Sequence, residues 1–274
     1  MTLRKVWLVF RKDWLEIRRN WQILMPIVAV PIFVSVLLPT VIVLLPNLTP
    51  STAVSAQNLE SIMKNLPSNV LNEISTFTAQ QALIYLLTLY FLAPLFLVIP
   101  VMASSVIASD SFAGEKERKT LEALLATPLS DAELFIGKVL VAFIPAVIIT
   151  FASFAVYSTM VDVLALPLFS GKILLPNTIW MIMIFGLSPI LSLTSIGLTV
   201  TISAKVKGFR EAQQISVILL APILALVFGQ VSGTLFLGPS ILLALTGAFA
   251  LVDLLVFYAG VKAFKREEIL SKPT

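Results

Sequence analysis

The stretch Ile23–Leu45 reads ILMPIVAVPIFVSVLLPTVIVLL and contains no charged residue. As a helix it would be about 34 Å long, which is enough to cross the hydrocarbon layer of a bilayer, about 30 Å thick. An uncharged run of this length predicts a membrane-spanning helix rather than the core helix of a soluble domain.

Five further apolar runs follow, separated by charged or polar stretches. Over the whole chain, 58% of the residues are hydrophobic and 12% are charged, whereas soluble domains average about 45–50% and about 25%. We therefore predict an all-α, polytopic membrane protein with six transmembrane helices in one domain, residues 23–264. The predicted spans are Ile23–Leu45, Ala82–Ile107, Ile136–Val156, Ile179–Ile202, Ile215–Phe236 and Ile241–Phe264.

The distribution of lysine and arginine predicts the orientation of the helices. Basic residues in short loops remain on the cytoplasmic side of a membrane. With the N-terminus inside, 17 of the 19 basic residues are cytoplasmic, and only Lys64 and Lys172 lie outside. We therefore expect a multi-pass protein of the cell membrane with both termini in the cytoplasm, a long external loop at 46–81 and a tail at 265–274. Trp180 is expected at the outer boundary, where tryptophan is common.

Residues 1–22 have the pattern of an amphipathic interfacial helix. Apolar residues recur in steps of four and three along one face, and pairs of basic residues repeat every seven residues on another side. Three tryptophans beside a basic flank favour a helix in the inner membrane interface, in contact with the lipid bilayer. A coiled-coil seam is the alternative, but tryptophan packs poorly there. The apolar face comprises Leu3, Trp7, Phe10, Trp14, Ile17 and Trp21.

The cytoplasmic segment between the second and third spans, residues 111–130, has the most informative pattern. Within it, Gly114–Ser130 reads GEKERKTLEALLATPLS. Leucines at helical spacing among charged residues predict a short amphipathic helix, Glu115–Ala126. Ser130 and Glu133 would then form a capping box that begins the third span. A solvated loop is the alternative, but an apolar patch rimmed by charge is typical of an interface.

This stretch, followed by Glu133 and the pair Gly137 and Lys138, resembles the signature of type-2 ABC exporter permeases, including the sodium-extrusion and drug-export branches. The pattern of apolar runs matches over nearly the whole chain. The resemblance implies that the segment 111–130 is the coupling helix that docks on the ATP-hydrolysing subunit. By resemblance, that contact would be made by Glu115, Glu117, Arg118, Leu121, Glu122, Leu124 and Leu125.

The resemblance also implies a translocation path at the axis of a permease dimer, lined largely by the second and fifth spans. Mapped onto this sequence, such a path would include Tyr85, Tyr90, Phe91, Phe96 and Gln230. Lipid-facing or core packing would explain the same residues. The second permease would be an identical copy or a sister chain.

No phosphate-binding loop of the form GxxxxGK[ST] is present in the sequence. We therefore expect a permease that is not itself an enzyme, with ATP and magnesium bound by a separate ABC ATPase subunit. We expect no catalytic, cofactor-binding or metal site in this chain, and no nucleic-acid partner. Cysteine and histidine are absent, which excludes thiolate nucleophiles, Ser-His-Asp chemistry and histidine-ligated zinc.

Asp253 is an ionisable residue deep within the sixth predicted span, and a charge in hydrocarbon is costly. One interpretation is an ion or proton site, which would add Asp253 to the path. A structural pair with Lys138 or Lys205, or a protonated carboxyl, is the other. An ion-coupled secondary transporter or channel using Asp253 is therefore the alternative function, while a membrane-embedded enzyme is disfavoured by the missing histidine and cysteine.

Two further patterns concern helix packing. Prolines within the spans, such as Pro39, Pro94, Pro145 and Pro189, predict kinks or broken helices. A stripe of small hydroxyl residues follows one face of the fourth span and favours close helix packing over a substrate path. The stripe consists of Ser188, Ser192, Ser195, Thr199 and Ser203.

Overall fold

The computed structural model describes residues 3–48, 66–120, 124, 127, 129–203, 205–206, 208–232 and 234–263. These residues form helices and connecting turns, without a β-strand among them. Six helices are long and apolar enough to cross a membrane, which confirms the predicted all-α fold with six spans. In chain order the helices are α1 (Leu3–Ile17), α2 (Trp21–Leu44), α3 (Ser68–Ile74), α4 (Ala79–Glu117), α5 (Ala132–Ala165), α6 (Thr178–Ser203), α7 (Phe209–Val231) and α8 (Pro239–Val256).

The N-terminal helix α1 is separated from the first span by a turn at 18–20. Asn20 accepts a hydrogen bond from the Gln22 N–H at 3.1 Å and thereby caps α2. Trp21 therefore begins the first span, whereas the sequence pattern had placed it in the N-terminal helix. The turn allows α1 to pack across the start of α5.

The start of α5 follows the sequence prediction closely. The Ser130 hydroxyl accepts from the Glu133 N–H at 3.2 Å, and Glu133 Oε2 accepts from the Ser130 N–H at 3.1 Å. These two bonds are the predicted capping box, which satisfies N–H groups that a helix start otherwise leaves unpaired.

Three of the spans contain a π-helical turn a few residues before a proline. The turns are Phe33–Leu37 before Pro39, Leu87–Phe91 before Pro94, and Ile182–Leu187 before Pro189. Proline has no N–H, and its ring crowds the carbonyl of the preceding turn. A wider turn makes room for the ring, so these prolines alter the helices locally. Pro145, in contrast, lies inside the continuous helix α5.

Trp180 is fully buried near the start of α6, so its side chain packs within the bundle instead of contacting lipid as a boundary anchor would. Its indole N–H donates to the Leu89 carbonyl at 2.9 Å, and the Tyr157 hydroxyl donates to the Thr88 carbonyl at 2.6 Å. Both carbonyls lie in the π-helical turn before Pro94, where regular backbone pairing is disturbed. The side-chain donors therefore satisfy polar backbone atoms that would be costly to leave unpaired in an apolar interior.

α4 is the central helix of the bundle, with 67% of its apolar span buried, against 17% for α7 and 11% for α8. It packs against α5 and α6. The hydroxyl stripe of α6 is buried at these contacts, and Ser195 donates to the Val101 carbonyl of α4 at 3.1 Å. Thr199 lies 3.3 Å from Ser216 of α7. Small side chains thus let α6 approach its neighbours closely.

Candidate functional site

Charged side chains gather where α1, the C-terminal end of α4 and the start of α5 meet, which we call the charged end of the bundle. The last part of α4 is a π-helical turn, Asp110–Gly114, followed by Glu115–Glu117. The chain then turns at Lys119, which has a φ of 57°. A helix was predicted to begin at Glu115, but in the structure these residues end the second span.

At the centre of the charged end lies the Lys138 cluster, formed by Asp13, Ser111, Glu115 and Lys138. The Lys138 ammonium group is fully buried and donates to Glu115 Oε2 at 2.5 Å and to the Ser111 carbonyl at 2.5 Å. It also lies 3.4 Å from Asp13 Oδ2. The Ser111 hydroxyl donates to the same Asp13 oxygen at 2.7 Å. One ammonium group therefore joins α1, α4 and α5.

Lys12 provides a second cation at the edge of this cluster. Its ammonium group pairs with Glu115 and lies 3.2 Å from Asp13 Oδ1. Burial by itself would raise the pKa of Asp13, but Lys138 and Lys12 outweigh burial and lower that pKa below its ordinary value. Burial opposes the charge on Lys12, yet Asp13 and Glu115 raise the pKa of Lys12 overall. The two carboxylates and two ammonium groups balance, as buried charges require.

Three carboxylates at this end, from Asp13, Glu16 and Glu115, are close enough together to share a metal ion. The Lys12 ammonium group contacts all three, at 3.3 Å in the case of Glu16. An ammonium group therefore already occupies the position that a cation would take, and the cluster is an ion-pair network of the protein itself.

Gly137 explains how α1 comes close enough to α5 for these ion pairs. A Cβ atom at Gly137 would lie 2.7 Å from Val9 Cβ and 3.2 Å from the Val6 carbonyl, both in α1. Only glycine permits this approach without a shift of one helix. The adjacent residues Gly137 and Lys138 thus act together, since the first allows the contact and the second bonds across it.

The rim of the charged end is more exposed. The Arg118 guanidinium group donates to Asp110 Oδ1 at 2.9 Å and lies 3.9 Å from Glu16 of α1. The hydrogen bond to Asp110 raises the pKa of Arg118. Glu117 accepts from the Phe209 N–H at 2.9 Å and so caps the start of α7. Helices α1, α4, α5 and α7 are therefore all connected through the end of α4.

The predicted coupling residues differ in how deeply their side chains are buried. Glu115 is buried within the Lys138 cluster, so its side chain does not lie on the surface that an ATPase contact requires. Glu117 and Arg118 are exposed, and Leu124 is half-buried against the apolar residues of α1 and α5. The remaining predicted residues, Leu121, Glu122 and Leu125, lie outside the described residues.

The predicted path residues do not form one continuous lining in this chain. Tyr85 donates to Glu73 of α3 at 2.5 Å, and its ring lies 6.0 Å from that of Tyr90. Phe96 is fully buried against Trp180 in a different aromatic cluster. The two remaining path residues also lie partly or fully inside the chain. Phe91 is half-buried against the core, and the buried Gln230 amide has no hydrogen-bond partner among the described residues.

Asp253 lies on α8 and is buried against α6. Its Oδ1 accepts from the Thr194 hydroxyl at 2.5 Å, while its Oδ2 has no hydrogen-bond partner in the described part of the chain. Lys138 belongs to the charged end, so the pairing of Asp253 with Lys138 considered from the sequence is wrong. A cavity of about 60 Å³ beside Thr194 is lined almost entirely by apolar side chains.

The sequence analysis missed Asp13 as a member of the site. Asp13 lies on the face of α1 that packs against the bundle, together with Val6, Val9 and Ile17. That face has the three- and four-residue spacing of a buried helix surface, so a carboxylate within it was a detectable signal. The more conspicuous aromatic face is the more exposed one, and Trp7 is 58% exposed.

The six apolar helices, the buried ion network at one end and the exposed apolar outer surfaces define an integral, polytopic helical membrane protein. Among known protein families, the family described as ABC-2 family transporter protein matches residues 7–265. The match spans most of the chain, so the chain belongs to the ABC-2 transporter family, as its sequence motif indicated. No curated protein sequence matches this chain. The family assignment makes the chain a membrane component of an ABC transporter.

Proposed function

We propose that this chain is the permease of an ATP-driven exporter in the cell membrane, and that a separate ATPase subunit docks at the charged end. In the proposed orientation, both termini and the charged end lie in the cytoplasm, in agreement with the basic residues of the loops. The family assignment supports the proposal, because members of the ABC-2 transporter family function as membrane components of ABC transporters.

The observation that carries the proposal is the position of Glu115. It lies at the end of α4 and pairs with both Lys12 of α1 and Lys138 of α5. α4 is continuous over 39 residues, which corresponds to roughly 58 Å, and passes through the centre of the bundle. A displacement of the charged end would therefore move α1, α4 and α5 together rather than bend a loop.

Exposed residues at the turn are proposed to receive the ATPase. We assign this contact to Glu117, Arg118, Lys119 and Thr120, which are exposed, and to the motif residues that follow. The motif residues are Leu121, Glu122, Leu124 and Leu125. Glu115 takes a different role in the proposal, because its buried ion pairs position the end of α4 instead of contacting the partner.

At the opposite end of α4, Tyr85 is bonded to Glu73 of α3, so movement of α4 would also reach the outer side. We propose that the complete transporter contains two permeases and two ATPase subunits, and that ATP and magnesium bind to the latter. Tyr85, Tyr90 and Gln230 would then face the path when the two permeases separate on the outer side.

The test is co-purification of the ATPase subunit with the tagged full-length chain from its native membranes. Leu121→Asn combined with Leu125→Asn replaces the apolar part of the proposed contact. Leu166→Asn is the matched control, because Leu166 is 46% exposed at the far end of α5. The double variant is expected to reach the membrane in normal amount and to lose the ATPase, while the control retains it. Retention of the ATPase by the double variant would overturn the assignment.

A further inference from the structure

Pairs of adjacent basic residues recur every seven residues along α1 and the turn that follows it. The three pairs are at positions 4 and 5, 11 and 12, and 18 and 19. In the first two pairs, the second residue faces the protein. Lys5 lies 3.9 Å from Glu133, and Lys12 pairs with Glu115. The structure thus divides each of these pairs into one residue that is used internally and one that is not.

The first residues of the pairs form what we call the arginine row, Arg4, Arg11 and Arg18. All three are exposed, and none of their side chains forms a salt bridge or hydrogen bond within the described part of the chain. Seven residues correspond to about two helical turns, or roughly 10 Å along the axis. The row therefore presents three free guanidinium groups in a line on the side of α1 that faces away from the bundle.

Exposed apolar side chains lie on both sides of the arginine row. Trp7 is 58% exposed on one side, and Leu8 and Leu15 are 56% and 47% exposed on the other. The exposed apolar surface continues directly into the first span, where Trp21 is 74% exposed and Met25 is 59% exposed. A helix with this combination of basic and apolar side chains is suited to the headgroup region of a bilayer.

We propose that the arginine row binds the phosphate groups of anionic phospholipids. Guanidinium groups donate paired hydrogen bonds to phosphate oxygens, and the apolar neighbours can contact the acyl chains below the headgroups. A protein partner would be a different explanation for free arginines. Lipid is favoured because apolar residues flank the row on both sides and continue into the lipid-facing surface of α2. The ion pairs between α1 and the end of α4 are made by residues such as Lys12 and Glu16 and do not use the arginine row. The inference is independent of the proposed function.

The test uses the full-length protein in dodecyl maltoside micelles, titrated separately with dioleoyl phosphatidylglycerol and dioleoyl phosphatidylcholine. Native mass spectrometry counts the bound lipids and gives their affinities. The wild type is expected to prefer phosphatidylglycerol. Arg4→Gln, Arg11→Gln and Arg18→Gln combined should reduce that preference by roughly a hundredfold, since each basic contact to an anionic surface contributes roughly fivefold. The three corresponding Arg→Lys changes should retain most of the preference, because the charge remains.

A matched control removes the same charge elsewhere, with Lys172→Gln, Lys205→Gln and Arg210→Gln combined, all at exposed positions. An equal loss of preference in this control would overturn the proposal, as would an unchanged preference in the Arg→Gln variant. Sodium phosphate should displace no more lipid than sodium chloride of equal ionic strength, and greater displacement would point to a site for free phosphate. Loss of the ATPase from the Arg→Gln variant with unchanged lipid preference would also overturn it, in favour of a protein partner.

Discussion

The replacement Lys138→Met tests whether the Lys138 cluster holds the charged end together. The ammonium group is fully buried and pairs with two carboxylates whose side chains are 1% and 3% exposed, those of Glu115 and Asp13. Methionine fills a similar volume but leaves these two charges with Lys12 as their one remaining cation among the described residues. Removal of one partner from a buried ion pair costs about 3–5 kcal/mol. At roughly 2–4 °C per kcal/mol, the melting temperature should fall by on the order of 10 °C.

The assay is a heating series of the detergent-solubilised protein followed by size-exclusion chromatography, which reports the fraction that remains folded. Lys172→Met is the control, because Lys172 is exposed at the opposite end, and its melting temperature should be unchanged. Glu115→Gln added to Lys138→Met removes one of the unpaired charges. The double variant should therefore lose about 1–3 kcal/mol less stability than the sum of the losses of the two single variants. A melting temperature of Lys138→Met within about 2 °C of wild type, or strictly additive losses, would refute this account.

Two further predictions concern carboxylates. Because the ion pairs lower the pKa of Asp13, its contribution to stability should be complete above its ordinary pKa of 3.8 and should decrease as pH falls through the lower folded value. The difference in melting temperature between wild type and Asp13→Asn should therefore be constant from about pH 5 to 8 and shrink under strong acid; a difference that disappears near neutrality would contradict this. Asp253→Asn keeps an acceptor for Thr194 and removes a buried ionisable group, so stability and ATP-driven transport in reconstituted vesicles should be retained. Loss of transport by a folded variant would instead favour the ion-coupled function.

The membrane spans were predictable because each is a local property of the chain. Every span is a run of apolar residues long enough to cross the bilayer, and hydrocarbon permits only a helix for such a segment. The capping box at Ser130 was predictable for the same reason, since its two bonds join residues three positions apart. The C-terminal end of α4 was not predictable, because charged residues after Ile107 indicated the aqueous phase, whereas ion pairs with α1 and α5 continue the helix to Glu117.

The candidate site was predictable only in part. The motif drew attention to Glu115, Glu117 and Arg118, but not to which of these side chains would be buried. Trp180 illustrates the same difficulty, because its position in the sequence suggested a membrane boundary while its partners are Leu89 and Tyr157 in the core. Burial depends on which helices become neighbours, and helical periodicity within one segment does not contain that information.

The sequence alone therefore determined the six-span helical architecture and the resemblance to ABC-2 permeases, because hydropathy and a contiguous motif are local properties of the chain. The charge distribution predicts the orientation in the same way. Only the tertiary structure decided that Lys138 pairs with Asp13 and Glu115, and that the side chains of Arg4, Arg11 and Arg18 have no ion-pair or hydrogen-bond partner among the described residues. The Lys138 to Asp13 contact joins residues 125 positions apart. Such ion pairs arise from the packing of separate helices, since a buried charge is stable only where another element supplies its partner.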